Sequence, residues 1–207
     1  MMGAEPYKIL KTKFKNLTFQ PHEFVLEIGS DWWDCHSKFL HFWSYINDTS
    51  FISVDVIEYP KTKHGYLGID FRTSTSGSDW CRDELPKLNK KIKVLYLDNF
   101  DWIWNPENIP AFIQEQIDSY AKRGVVMNND NCKEEHRLQV ERCLPFMAEQ
   151  SLVIMDDTFP DFRYPSGWSG KCGSAIGLLK EHGYIIKEVP GLGWPAGAYA
   201  YKNLTEN

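Results

Sequence analysis

The sequence predicts an α/β protein whose seven-stranded, mostly parallel sheet ends in an antiparallel hairpin. Five short and almost continuously apolar runs alternate with longer amphipathic stretches. This alternation is typical of parallel strands that are buried on both faces and connected by helices. Two further strand-like runs lie near the C-terminus with no space for a crossover helix between them, and they account for the hairpin.

The parallel strands are predicted where an apolar run ends in an acidic residue or a glycine. These runs cover residues 24–30, 51–56, 66–70, 93–98 and 151–157. Amphipathic patterns predict helices between them. The predicted helices cover residues 36–47, 106–123, 133–150 and 174–183.

The hairpin is predicted from the spacing of the last two runs, 184–189 and 198–202. Only the segment PGLGWPAG lies between them, whereas parallel neighbours need about a dozen connecting residues. We therefore expect the two strands to be antiparallel.

Two stretches are predicted to be irregular. Residues 73–80 form a Ser/Thr/Gly-rich loop, and residues 156–173 form a long loop rich in Pro, Gly and aromatic residues. The second loop leaves the carboxyl end of a strand, which is the edge where ligands bind in open α/β sheets. It is a candidate lid or substrate wall.

The length of 207 residues fits one domain, at 22–207, preceded by an N-terminal extension at 1–21. The extension is a candidate lid or dimer arm, so a homodimer is one expectation. With 43% hydrophobic and 14% aromatic residues, the chain has enough apolar material for a core, which excludes a disordered protein.

Charge and cysteine content exclude further classes. The net charge is −5 and no basic block exceeds residues 87–93, which argues against nucleic acid as the main ligand. No apolar run reaches the roughly 18 residues of a membrane span, and the N-terminus lacks the apolar segment of a signal peptide. The five cysteines are scattered without a CxxC pair. They predict reduced thiols and a cytoplasmic location rather than a zinc site.

Six carboxylates lie in or directly after the predicted strands, where parallel strands meet at one edge. They are Glu27, Asp55, Asp70, Asp98, Asp156 and Asp157. Taken singly, each is explained equally well as a cap of a helix or turn. Together they favour a functional rim. Three hard oxygen ligands from neighbouring strands, Asp98, Asp156 and Asp157, suit Mg²⁺ or Ca²⁺ better than zinc.

The first two strands offer candidate groups for a nucleoside-type cofactor. Asp55 closes the second strand, a position from which a carboxylate accepts both hydroxyls of a ribose. Gly29 belongs to the first strand and its turn and allows close approach of the backbone to a ligand.

The order of strands and the terminal hairpin resemble the class I S-adenosylmethionine-dependent methyltransferases over residues 22–202. The segment VLEIGS resembles the first motif of that family and FISVDV the second. The resemblance implies a Rossmann-like three-layer sandwich and an S-adenosylmethionine site, with Asp55 at the ribose and Asp70 near the adenine. The implied cofactor-binding residues are Glu27, Gly29, Ser30, Asp55 and Asp70.

The segments LYLDNFDW and LVIMDDT more narrowly resemble metal-dependent small-molecule O-methyltransferases of the catechol, caffeoyl-CoA and sugar types. This resemblance implies Mg²⁺ held by Asp98, Asp156 and Asp157, and a small hydroxylated substrate, with sugars among the candidates. Asp98 is then also a catalytic residue. Lys171 and His136 are candidate bases, although a single lysine in a loop is more often exposed to solvent.

The sequence departs from the family pattern in three places. Bulky Trp32 and Trp33 occupy the cofactor loop, and Asp101 stands where many relatives carry a histidine. Residues 103–132 form an insertion without an obvious counterpart. The two tryptophans favour an alternative, a catalytically inactive methyltransferase-like domain that serves as a binding or assembly module. The acidic triad favours an active enzyme.

Overall fold

A computed structural model describes residues 6–30, 36–57, 68–100, 102–190 and 195–207 of the chain. Nine strands lie in these segments: β1 (Glu23–Ile28), β2 (Ser50–Asp55), β3 (Asp70–Thr73), β4 (Lys91–Leu97), β5 (Met147–Asp156), β6 (Thr158–Pro160), β7 (Trp168–Gly170), β8 (Ile185–Pro190) and β9 (Pro195–Lys202). The α-helices are α1 (Pro6–Lys8), α2 (His36–Ile46), α3 (Gly77–Asp83), α4 (Ala111–Ala121), α5 (Asn129–Cys143) and α6 (Ile176–Glu181).

Seven strands form the main sheet in the order β3-β2-β1-β4-β5-β9-β8. The first five in this order are parallel, and β9 is antiparallel to both β5 and β8. The predicted fold class is therefore confirmed, including the hairpin. The carboxyl ends of β1, β2, β4 and β5 lie at the same edge of this sheet.

The two faces of the sheet bury different side chains of the same strands. In β1, Leu26 faces a core that includes Trp80 of α3 and Val140 of α5. Its neighbour Val25 faces a second core that includes Leu40 of α2. Burial of such side chains contributes roughly 1.5–3 kcal/mol each, which gives the helical layers on both faces their stability.

The described part of the N-terminal extension packs on the sheet. The turn of α1 continues into a π-helical turn, Ile9–Lys13. Ile9, Leu10 and Phe14 are buried in the same core as Leu40. The backbone N–H of Asn207 also donates to the carbonyl oxygen of Lys13 at 3.0 Å. The apolar side chains of this segment, including Leu17, therefore share one core with the sheet.

Several predicted boundaries were wrong; for example, the helix predicted at 106–123 begins only at Ala111. The helix expected at 133–150 ends at Cys143, because Pro145 cannot continue it, and Met147 begins β5. The expected loop at 73–80 contains the start of α3, whose cap Ser76 accepts a hydrogen bond from the N–H of Asp79. The third strand begins at Asp70 instead of ending there.

The insertion between β4 and α5 forms a small cap. Its helix α4 buries Ile113 and Tyr120 in a cluster separate from the two faces of the sheet. Val56 and Ile57, which directly follow β2, pack against this cluster. The insertion thus covers the carboxyl end of β2. Within the described segments, no helix combines the length and apolar character that a bilayer span requires.

Candidate active site

The turn after β1 is held against the end of β4. Gly29 has a φ of 96°, and its N–H donates to the carbonyl oxygen of Val54 at 2.8 Å. A Cβ atom at this position lies only 2.3 Å from the backbone nitrogen of Asn99. Glycine is thus required at this position for the close approach of the turn after β1 to the end of β4. This structural requirement is separate from the predicted approach of the backbone to a ligand.

The carboxylate of Asp55 lies at the end of β2 and is held by backbone donors. Its Oδ2 accepts from the N–H of Ser30 at 2.8 Å, and its Oδ1 accepts from the N–H of Ile57 at 2.9 Å. Burial raises the pKa of Asp55 to about 6, against the opposing effect of these hydrogen bonds. The side chain is therefore fixed in one orientation beside the turn after β1.

A chain of polar side chains connects this carboxylate with the interior of the sheet. Glu27 is fully buried, and its Oε2 accepts from the hydroxyls of Ser37, at 2.6 Å, and of Ser53. The Oγ of Ser53 lies 2.7 Å from the Oγ of Ser30. Glu27 thus positions the residues around Asp55 and ties them to α2.

A second polar group surrounds Asp98, directly after β4. The hydroxyl of Tyr96 donates to Oδ2 of Asp98 at 2.9 Å and lies 2.8 Å from Nδ1 of His36. Because a phenol has one proton, the Nδ1–H of His36 is then the donor to Tyr96. Neither residue was predicted as part of a site, since Tyr96 lies within an apolar strand and His36 is the first residue of a helix.

The three predicted metal ligands converge on an ammonium group. Nζ of Lys171 lies 2.7 Å from Oδ1 of Asp98, 3.0 Å from Oδ2 of Asp156 and 3.3 Å from Oδ2 of Asp157. Lys171 is 0% exposed, so the expectation of a solvent-exposed loop lysine was wrong. Among the described residues, no group of three or more His, Cys, Asp or Glu side chains is arranged to hold a metal ion.

Burial and the charge of Asp156 raise the pKa of Asp98, while the charge of Lys171 opposes the shift. Three carboxylates share one buried ammonium, so the cluster has an excess of negative charge when all are ionised. The side chains of Asp98 and Asp157 are each 19% exposed, whereas that of Asp156 is 9% exposed. Asp98 and Asp157 are accordingly the more accessible acids.

The long loop after β5 contains a small hairpin that returns Lys171 to this cluster. Strands β6 and β7 pair with Thr158 opposite Gly170. The N–H of Lys171 then donates to the carbonyl oxygen of Asp157 at 3.0 Å. Gly170 has a φ of 82°, and a Cβ there lies 1.8 Å from the same oxygen. The loop is therefore an ordered strand pair with a required glycine.

His136 does not have the surroundings of a general base. It is fully buried on α5, and its Nδ1 lies 2.8 Å from the carbonyl oxygen of Cys132. Burial, together with a smaller effect of the charge of Lys171, lowers the pKa of His136 to about 3. The ring is therefore neutral and a weak proton acceptor, which argues against the predicted role.

Asp70 lies at the opposite edge of the sheet from the predicted site. It opens β3 beside Ile52, and its carboxylate binds Arg72 at 2.6 Å on the surface. It lines a groove of about 380 Å³ together with His41 and Tyr45. Because the strand starts where it was expected to end, Asp70 does not lie with Asp55 at the carboxyl edge, which argues against the predicted position near an adenine.

Aromatic side chains lie along the loop after β5. Trp104 stacks on Phe159 of β6 with ring centroids 5.1 Å apart, and Trp102 contacts the same ring edge-on at 6.4 Å. Nζ of Lys133 lies over the rings of Trp102 and Tyr164. Trp102, Trp104 and Phe159 form an aromatic wall. Trp32, Trp33 and Asp101 lie outside the described residues.

No protein-family model and no curated protein sequence matches the chain. Solved structures do resemble it. A structure titled calicheamicin methyltransferase CalS11 matches with a TM-score of 0.51 and 12% identity, over 97% of this chain and 76% of that chain. The mycinamycin pathway methyltransferase MycE, solved with Mg and SAH, matches with a TM-score of 0.52 and 13% identity.

The MycE match covers 95% of this chain, which spans about half, 49%, of the MycE chain. A further MycE complex, with Mg, SAH and mycinamycin VI, matches with a TM-score of 0.51 and 14% identity. At these identities the similarity establishes the fold. The chain thus has the Rossmann-like fold of the class I S-adenosylmethionine-dependent methyltransferases.

Proposed function

We propose that the protein is an S-adenosylmethionine-dependent methyltransferase that methylates a hydroxyl group of a small molecule. The observation that supports this most directly is the position of Asp55 and the Gly29–Ser30 turn at the carboxyl edge of a sheet with this fold. Asp98 follows the neighbouring strand β4 at the same edge. The groups that we assign to the cofactor and a candidate proton acceptor therefore lie at the same edge of the sheet.

The cofactor is assigned to the side of the edge formed by β1 and β2. A carboxylate accepts about four hydrogen bonds, and Asp55 accepts the backbone N–H groups of Ser30 and Ile57. We assign its further hydrogen-bonding capacity to the hydroxyls of a ribose. Bound S-adenosylmethionine supplies a methyl group on a positively charged sulfur. The protein's task is to hold the acceptor oxygen in line with that methyl group.

The acceptor is assigned to the side formed by β4 and β5. Asp98 is positioned by Tyr96 at 2.9 Å and by Lys171 at 2.7 Å. Burial has raised its pKa from the ordinary range, so its carboxylate is a better proton acceptor than a surface aspartate. We assign to Asp98 the proton of the substrate hydroxyl.

The aromatic wall of Trp102, Trp104 and Phe159 supports a small substrate with a flat or apolar face, such as a sugar or an aromatic ring. The mycinamycin VI complex of MycE shows a small molecule in a protein of this fold. The substrate class proposed here is correspondingly a small hydroxylated molecule.

Mg²⁺ does not fit the acidic cluster as it stands. Three carboxylates are suitable ligands for this ion, but Nζ of Lys171 lies between 2.7 and 3.3 Å from an oxygen of each. A fully buried ammonium already supplies their positive charge. In the proposed reaction, the ammonium of Lys171 and not a metal ion provides the positive charge beside Asp98.

Binding of the cofactor tests the proposal and separates it from the inactive binding module. We expect S-adenosylhomocysteine to bind the native protein with a micromolar Kd in calorimetric titrations. Asp55→Ala should weaken binding by about tenfold or more, equivalent to about 1.4 kcal/mol. Asp70→Ala is the matched control, since Asp70 lies at the other edge of the sheet, and it should leave the Kd unchanged.

Absence of binding at millimolar ligand would reject the methyltransferase and support the binding module. If the cofactor binds, transfer of a labelled methyl group to a panel of sugars and catechols then tests the acceptor. Methylation lost in Asp98→Asn, with cofactor binding retained, is the result expected for the assigned role of Asp98.

A further inference from the structure

We propose that the ammonium of Lys171 is the resident cation of the acidic cluster, in the role for which the sequence predicted a divalent metal ion. In the native chain, Asp98, Asp156 and Asp157 then bind lysine and not Mg²⁺. This inference concerns the cluster alone, and its tests measure ion binding, so it stands or falls separately from the proposed methyl transfer.

The first support is the match between donors and acceptors. A lysine ammonium has three N–H donors, and three carboxylates from two strand ends surround it at 2.7, 3.0 and 3.3 Å. All three contacts lie within the range of an ion pair, and the lysine is completely buried. A buried charge of this kind is stable only when it is paired.

The second support is that the backbone builds this position. Asp157 adopts a left-handed φ of 43° and Gly170 a φ of 82°. The carbonyl of Asp157 accepts the N–H of Lys171. Thr158 accepts the N–H of Cys172 through its hydroxyl at 3.1 Å. Hydrogen bonds donated by the backbone N–H groups of Lys171 and Cys172 thus hold the backbone so that the side chain of Lys171 reaches the acids.

The third support is that a metal ion and the ammonium of Lys171 would repel each other if both occupied the cluster. Mg²⁺ binds oxygen ligands at about 2.0–2.1 Å, so an ion on Oδ1 of Asp98 would lie within about 5 Å of Nζ. The two cations repel each other in a site with little solvent. Binding of Mg²⁺ therefore requires Lys171 to leave, at the expense of its pairs with Asp98 and Asp156.

Mn²⁺ binding tests the native cluster directly, because the electron paramagnetic resonance signal of free Mn²⁺ diminishes when the ion binds. We expect the native protein and the Asp156→Asn variant to decrease the signal of free Mn²⁺ equally. Equal decreases mean that no Mn²⁺ site depends on Asp156. One tight site per chain that is lost in Asp156→Asn would overturn the proposal. This measurement uses the native chain and does not depend on the folding of a lysine variant.

Removal of the lysine tests whether a metal ion can take its place. Lys171→Ala should melt at a lower temperature than the native protein. About 5 mM Mg²⁺ should then raise its Tm by about 3–6 °C, with no rise for the native protein. The rise should disappear in Lys171→Ala/Asp156→Asn. A folded Lys171→Ala protein that gains nothing from Mg²⁺ would contradict the assignment of a cation site.

Lys93→Ala provides the matched control. Lys93 is also a buried lysine, and its Nζ lies 3.3 Å from Oε2 of Glu23 at the amino end of the sheet. Its loss removes a buried ammonium but leaves a single carboxylate. We therefore expect destabilisation without rescue by Mg²⁺, and an equal rescue of both variants would attribute the effect to general ionic screening and overturn the proposal.

Discussion

The hydroxyl of Tyr96 lies 2.8 Å from Nδ1 of His36, which links the carboxyl end of β4 to the first residue of α2. The same hydroxyl donates to Asp98. Through this bond the orientation of Asp98 depends on the position of α2, the helix that follows the turn after β1. The hydroxyl of Tyr96 therefore couples the two sides of the candidate site.

Tyr96→Phe tests this coupling. The substitution leaves the buried groups of His36 and Asp98 without their shared partner, so we expect a loss of about 1–3 kcal/mol in the free energy of unfolding, measured by urea denaturation. Tyr45→Phe is the control, since Tyr45 is 76% exposed, and it should change stability by less than about 0.5 kcal/mol. Equal effects of the two variants would show that the bond contributes nothing.

Asp55→Asn tests the raised pKa of Asp55. The pKa is about 6 in the folded protein against 3.8 ordinarily. The folded state therefore favours the protonated acid, and this contribution to stability is present below pH 3.8 and lost as the pH rises through about 6. The stability of the native protein relative to Asp55→Asn should fall by about 3 kcal/mol between pH 3.8 and 7. A difference that stays constant with pH would contradict the shift.

Gly29→Ala tests the tight approach of β1 and β4. The added Cβ meets the backbone nitrogen of Asn99 at 2.3 Å and the residue has a positive φ, so we expect a loss of about 3 kcal/mol or more in unfolding free energy. Gly177→Ala is the control, because nothing lies within 4 Å of its Cβ in α6. It should be neutral or stabilising by up to about 1 kcal/mol. Comparable destabilisation by both would argue against the clash.

Titration of thiols tests the predicted reduced state of the cysteines. Cys81, Cys132, Cys143 and Cys172 are buried thiols, and burial raises the pKa of Cys81 and Cys172. In a Cys35→Ser chain, Ellman's reagent should find no fast-reacting thiol in the native protein and four after unfolding without reductant. Two thiols after unfolding would instead reveal a disulfide, for which Cys81 and Cys143, with Sγ atoms 3.5 Å apart, are the nearest pair.

The sequence by itself determined the sheet, the terminal hairpin and the edge at which Asp55, Asp98 and Asp156 lie. Each of these acids directly follows an apolar run, and parallel strands bring such positions together whatever the connecting helices do. Periodicity and composition describe neighbours along the chain, so they located these elements. Periodicity and composition gave wrong boundaries where the local composition was ambiguous. The start of α3 was predicted to be a loop, and β3 was predicted to end at Asp70, where it begins.

Only the tertiary structure decided what surrounds the acids. Lys171 lies 73 residues from Asp98 in the sequence, and His36 lies 60 residues from Tyr96. Such pairs form because the β6–β7 hairpin and α2 return across the edge of the sheet. Burial then makes pairing obligatory, since an unpaired ammonium or carboxylate is too costly away from water. The sequence predicted that Asp98, Asp156 and Asp157 bind a cation. In the folded protein, the ammonium of Lys171 lies within 3.3 Å of an oxygen of each of them.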